Sequence, residues 1–225
     1  MKREMLAFCA SVVLASTAAY AAGDDSESKI EIIDNKLIFH APTEKESIEL
    51  ALSLVKDRQI STIDLNSPGG DIRQAMRLAR WIHDNKVDVV VNEFCFSSCA
   101  NYLFPAGRFK YVGEQAMIGW HGGAHQAQDP EVDPKFKEAI AQYLQQAQAE
   151  ETAFYQAIGV NPRLPTLGQE EGYRCQQGEQ SGWFYSIDDL KKLGVTNIVL
   201  KDGEWNPLDY HSKHVCQVVV DETLG

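Results

Sequence analysis

The chain has no cluster of lysines and arginines, no nucleotide-binding motif, no internal repeat and no linker that would divide it. Acidic residues outnumber basic ones by 32 to 21, a net charge of −11. Such a balance favours solubility and repels anions, so nucleic acid is excluded as a partner. Nothing in the pattern calls for a cofactor. A membrane span is missing too, because the apolar stretch Leu6 to Tyr20 is too short and too alanine-rich. With Met1-Lys2-Arg3 before it and the small-x-small site Ala19-Tyr20-Ala21 at its end, residues 1–21 read as a signal peptide. The expected location is therefore a bacterial periplasm. Residues 22–225 are then one domain, with a core over about 30–200 and a C-terminal extension over 201–225.

Cysteine is scarce: there are five, and Cys9 leaves with the signal. An even remainder in an exported chain favours disulfides over free thiols. Of the three possible pairings, Cys95–Cys99 is favoured as local. Cys175–Cys216 then links a late loop to the C-terminal tail.

Hydrophobic periodicity gives an α/β chain. Lys29 to Phe39 alternates around Asp34-Asn35 and reads as a hairpin. Thr43 to Glu46 has the form of a capping box before a helix running to about Lys56. A strand over Ile60 to Leu65 is followed by the turn Pro68-Gly69-Gly70. A helix capped by Asp71 comes next, with Ile72, Ala75, Met76, Ala79 and Ile82 on one face, and then a buried strand over Val87 to Val91. This succession predicts a parallel sheet with right-handed crossovers. Cys99 to Ala106 is apolar on nearly all sides and reads as a helix buried in the core. Phe109 to Val112 and Ala116 to His121 are short strands, and Lys135 to Ile158 is the longest helix. Ile187 to Leu193 is a short helix stopped by Gly194. Val195 to Leu200 and Val215 to Val220 are late strands.

Three segments carry chemistry. Asn66-Ser67-Pro68-Gly69-Gly70 can present bare backbone N–H groups, since glycine tolerates close approach. Ser97-Ser98 sits where a buried strand becomes a buried helix, whose start supplies further donors. His121 ends a strand and is followed by Gly122-Gly123. Backbone donors, a hydroxyl and an imidazole, in that order, are the components of an acyl-transfer site. His121-x3-His125 and His211-x2-His214-x-Cys216 have spacings that zinc could use. No cluster of further ligands is fixed around them, and no metal is expected.

These motifs resemble the proteolytic subunit of Clp proteases and its relatives in the ClpP/crotonase superfamily. The carriers are Asn66-Ser67-Pro68-Gly69-Gly70, Ser98 nine residues before Gly107, and Ala116-Met117-Ile118 leading to His121. The likeness covers roughly Ile60 to Leu200, and exported members with a Cys-x-Ser-x-Cys motif are the nearest variant. The resemblance implies a fold of repeated β-β-α units with a mostly parallel sheet and a protruding long helix. It implies Ser98 as nucleophile, His121 as base, and the N–H groups of Gly70 and Cys99 as the oxyanion hole. A peptide bond is the implied substrate, and the long helix implies a homo-oligomer. An ATPase partner is not expected, since the periplasm has no ATP. At the position of the family's third triad member this chain has Gly182, with Glu179, the Ser181 hydroxyl and Glu114 as substitutes to weigh. The reading is therefore an exported serine hydrolase, an ATP-independent peptidase. The alternatives are a catalytically inactive binding or assembly protein and a non-peptidase acyl hydrolase on the same fold.

Overall fold

The computed structural model describes residues 28–126, 135, 137–173, 175, 182–206 and 215–221. The expected signal peptide, Glu179, Ser181, His211 and His214 lie outside the described residues.

The hairpin forms as the Asp34-Asn35 pair requires. β1 (Lys29–Ile33) and β2 (Lys36–His40) pair antiparallel, with both turn residues at positive φ. That is the backbone of a two-residue turn matched to strand twist. From β2 onward the strand pairs are parallel, and the isolated Trp120–Trp183 bridge is antiparallel. β3 (Thr62–Ser67) lies between β2 and the long β4 (Asp88–Phe96), and β5 (Lys110–Val112) and β8 (Ile198–Leu200) complete the far side. The strand order is β1-β2-β3-β4-β5-β8. β4 uses one edge twice: Val89 to Val91 pair with β5, and Phe94 to Phe96 pair with β6 (Met117–Gly119). A small second sheet joins β7 (Gly182–Tyr185) to β9 (Val215–Val218), bridged to the chain after β6 through Trp120 and Trp183. The α/β class and the mostly parallel sheet are as the periodicity predicts.

Helix α1 (Lys45–Val55) begins one residue later than the capping box predicts. Its N-cap is Glu44 with no side-chain bond, because the Thr43 N–H is taken by the Gly69 carbonyl at 2.8 Å. α2 (Ile72–Asp84) has the predicted cap, with Asp71 accepting from the Gln74 N–H at 2.9 Å, and buries Ala75, Met76, Ala79 and Ile82. β4 runs five residues past Val91, carrying the chain straight to the serines.

After β4 comes a π-helical turn, Cys99–Leu103, continued by α3 (Phe104–Ala106). All eight of these residues are buried, as their composition predicts. Pro105 explains the π geometry. It has no N–H to give the Asn101 carbonyl one α-turn earlier, and its ring crowds that carbonyl. The turn widens, the Phe104 N–H reaches back to the Cys99 carbonyl, and the Asn101 carbonyl accepts instead from the Tyr155 hydroxyl at 2.7 Å.

Helix α4 (Lys137–Ile158) is exposed on nearly every residue over its first turns and buries Ala147, Glu151, Phe154 and Tyr155 farther on. Arg73 bonds to Glu150, and the Tyr143 hydroxyl to Asp71, fixing α4 on α2. α5 (Ile187–Lys192) is capped by the Ser186 hydroxyl. Both predicted disulfides are present. Cys95 and Cys99 have Cα atoms 5.3 Å apart, and Cys175 and Cys216 have theirs 5.5 Å apart. Among the described residues no helix is long and apolar enough to cross a membrane.

Candidate active site

At the carboxyl end of β4 the chain turns through Ser97 and Ser98. Ser97 has φ +56°, a left-handed conformation uncommon for a residue with a side chain. Its N–H donates to the Gly119 carbonyl at 3.0 Å, and the Asn101 N–H returns to its carbonyl at 2.8 Å. The Cys95–Cys99 bridge closes over this turn, with both cysteines fully buried.

The two serines have different partners. His121 Nε2 lies 2.7 Å from Ser97 Oγ. Ser98 is 1 % exposed, and its hydroxyl donates to the Gly70 carbonyl at 2.7 Å. The expected Ser98–His121 pairing is therefore corrected: the imidazole meets Ser97. The cause is the π-turn. The resemblance matches Ser98 by its place nine residues before Gly107, and between the two this chain has a π-turn, which takes in one residue more than an α-turn. The place that an α-helical count gives to Ser98 is thus taken by Ser97, and the residue following it is Ser98 rather than Cys99. Cys99 is bridged within the turn, and its carbonyl accepts from the Phe104 N–H.

The glycine turn lies against the serines. A Cβ on Gly69 would stand 2.7 Å from the Phe96 carbonyl oxygen, Ser97 Cβ and Ser98 N, and Gly69 has φ +89°. Only glycine permits that approach in that conformation. Three hydrogen bonds fix the turn. Thr43 N–H donates to the Gly69 carbonyl, Gly69 N–H donates to Ser67 Oγ at 3.2 Å, and Ser98 O–H donates to the Gly70 carbonyl. A trans peptide sets C=O and N–H in opposite directions. With the Gly69 oxygen turned to Thr43, the Gly70 N–H points away from it.

His121 is held at its ring and its backbone. Its ring stacks on Phe96 with centroids 5.3 Å apart and planes 3° from parallel. Gln169 Nε2 donates to its carbonyl at 3.1 Å, and Asn101 Nδ2 donates to the next carbonyl, Gly122, at 2.7 Å. Burial pushes the imidazole below the usual histidine range. It is therefore neutral at pH 7, the state in which a ring nitrogen can accept a proton.

Gly182 is buried at the start of β7, where a Cβ would lie 2.6 Å from the Trp120 carbonyl oxygen. No side chain fits there without a backbone shift, so a carboxylate at this position is excluded by packing. Glu114 is exposed between β5 and β6, its N–H meeting Asp202 and its carbonyl meeting the Asn206 N–H.

The loop after His121 also meets a buried carboxyl group that the sequence does not single out. Glu151 is fully buried on α4; Oε1 accepts from the Tyr102 hydroxyl at 2.5 Å and the Ala124 N–H at 3.2 Å, and Oε2 lies 2.7 Å from His125 Nδ1. The only hint in the sequence is that Glu151, the second of the adjacent Glu150-Glu151 pair, shares a helical spacing with Ala147, Phe154 and Tyr155. The arrangement as a whole holds a half-buried hydroxyl, an imidazole and backbone N–H groups together at one strand end. Compared with known proteins, the chain matches no family model and no curated protein.

Proposed function

We propose that the protein is an exported serine hydrolase, with Ser97 as nucleophile and His121 as base. The observation that carries this is the 2.7 Å contact between His121 Nε2 and Ser97 Oγ beside a fixed glycine turn. With the neutral ring protonated on Nδ1, Nε2 accepts the Ser97 proton as Oγ attacks an acyl carbon. The tetrahedral oxyanion is met by the N–H groups of Gly70 and Ser98, the second replacing the Cys99 donor. The imidazolium then protonates the leaving group as the acyl–leaving-group bond breaks. Water, deprotonated by the same nitrogen, releases the acid and restores Ser97. Ser98 is buried and bonded to Gly70, which supports a role in holding the glycine turn.

The resemblance to Clp-type proteolytic subunits supports a peptide bond as substrate, cleaved without ATP in short or flexible segments. It equally supports association of several copies through α4. A serine-directed fluorophosphonate, followed by peptide mapping, tests the assignment. Ser97 is expected to be modified. Ser97→Ala and His121→Ala should lose modification by at least ~10³-fold, as triad members do. Ser98→Ala should retain it at about one tenth of the rate, the worth of one hydrogen bond. Modification at Ser98 alone, or none between pH 6 and 9, would sink the proposal. The second outcome would favour a binding protein, which the absence of a carboxylate at Gly182 also favours.

A further inference from the structure

We infer that Glu151 is the positioning residue that joins the two halves of the Ser97–His121 pair. The serine and the histidine come from different segments, five residues before Tyr102 and three residues before Ala124. Tyr102 belongs to the π-turn that starts behind the serines, and Ala124 and His125 belong to the loop behind the histidine. One carboxyl group on a third element, α4, meets both: Tyr102 O–H and Ala124 N–H share Oε1, and His125 Nδ1 meets Oε2. Neighbouring bonds repeat the pattern. Gln148 Nε2 on α4 donates to the Ala124 carbonyl at 3.0 Å, and Tyr155 O–H on α4 donates to the Asn101 carbonyl. Asn101 Nδ2 in turn donates to the Gly122 carbonyl.

The chemistry favours a fixed tie over an incidental contact. A fully buried carboxyl group must have its lone pairs matched, or its burial is strongly unfavourable. Among the described residues, the matching partners come from the serine-side turn and the histidine-side loop. Movement of the histidine-side loop leaves Oε2 without its partner, and movement of the serine-side turn takes the Tyr102 hydroxyl from Oε1. Glu151 therefore acts through the backbone, holding the distance between Ser97 Oγ and His121 Nε2, and touches no reacting atom. Tyr102 shares the burial and contributes its hydroxyl as donor, and its proton is held firmly, with burial and then Glu151 raising its pKa well above the usual tyrosine range.

This inference rests on the Ser97–His121 reading, and its test separates the two. Glu151→Gln and Glu151→Ala are made in the full chain with both disulfides intact, and His121 is observed by imidazole NMR as pH is varied. In wild type His121 is expected to titrate below 6.5, its ordinary value, because it is buried. In Glu151→Ala the titration is expected to return towards that value, because the loop no longer keeps the ring in its buried place. Glu151→Gln, which keeps one acceptor oxygen, should fall between. Fluorophosphonate modification of Ser97 should slow ~10- to 100-fold in Glu151→Ala through its maximal rate, with reagent affinity unchanged, the signature of a misplaced base. Tyr102→Phe removes one donor and should show the same split more weakly. A folded Glu151→Ala whose His121 titrates as in wild type overturns the inference, whatever its thermal stability. If wild type itself is never modified, the hydrolase reading fails, and the NMR titration still decides the role of Glu151.

Discussion

The two ends of β4 solve opposite problems. At the amino end, Asp88 is buried and bound at both oxygens by Arg108, at 2.7 and 2.8 Å. Close by, Lys110 is 4 % exposed, with its ammonium on the Gly107 carbonyl at 2.7 Å. It also lines a cavity of about 520 Å³ together with His83, Lys86 and Arg108. Helices α2 and α3 end here, and cations are favourable against the carbonyls of helix ends. At the carboxyl end the groups are hydroxyls, an imidazole and peptide N–H groups, and the backbone bends through a left-handed serine. At the first end Asp88 is matched by Arg108, while the Lys110 ammonium rests on a neutral carbonyl and costs stability. Neutral dipoles at the second end are held by packing, which leaves a hydroxyl beside a base. In parallel sheets the carboxyl ends of strands are where ligands meet loops, and this strand keeps its polar chemistry there.

Gly69→Ala should break the carboxyl end most sharply. The new Cβ meets backbone and Ser97 at 2.7 Å, in a conformation that alanine rarely adopts. Displacing the glycine turn by even ~1 Å should slow Ser97 modification by ~100-fold, while the amino end stays intact. A variant modified at the wild-type rate would show that the turn is not part of the site.

Lys110→Met probes the other end and should leave modification unchanged. Burial lowers the Lys110 ammonium from 10.5 to about 8. Between those values the unfolded chain holds the proton and the folded chain does not, so stability rises with pH across that window. Below pH 8 the full cost is present, about 3 kcal/mol for 2.5 pH units. Methionine removes it but leaves the Gly107 carbonyl without its donor, at about 1 kcal/mol. The variant should gain about 2 kcal/mol in urea unfolding at pH 7 and nothing by pH 10. A loss of stability at pH 7 would mean that the ammonium is held by more than one carbonyl.

How legible each end was follows from the kind of pattern that carries it. The helix α2 face, the Asp71 cap, the Asp34-Asn35 turn and the buried turn after the serines are local and periodic, so composition reveals them. Both disulfides follow from a parity argument and a short spacing. The choice of Ser98 over Ser97 came from the resemblance, which places the nucleophile nine residues before Gly107 and takes no account of helix type. Pro105, four residues after Asn101, is the local sign that an α-helical count fails there. Glu151 was not legible, because its three donors lie 49, 27 and 26 residues away. The charge pairing of Asp88 with Arg108 across 20 residues was hidden for the same reason.

The smallest effect, and the one that most directly joins geometry to chemistry, is the pH profile of Ser97 modification. Modification needs the neutral imidazole. Burial disfavours the imidazolium, so His121 stays neutral to a lower pH than an exposed histidine. The rate should be flat above 6.5, the ordinary histidine value, and should fall only below it, by roughly tenfold per pH unit once past the midpoint. The sign carries over to folding. The unfolded chain takes up this proton first as pH falls, so the contribution of His121 to stability declines below 6.5. Lys110→Met should superimpose on the wild-type profile, because its titration lies at the opposite end of the strand and above the window in which His121 changes. A midpoint above 6.5 in wild type would mean that the imidazolium is stabilised in the folded protein, and the description of the carboxyl end as a site of neutral dipoles would then be wrong. A midpoint that moves with Lys110→Met would mean that the two ends of β4 are electrostatically coupled and do not act independently.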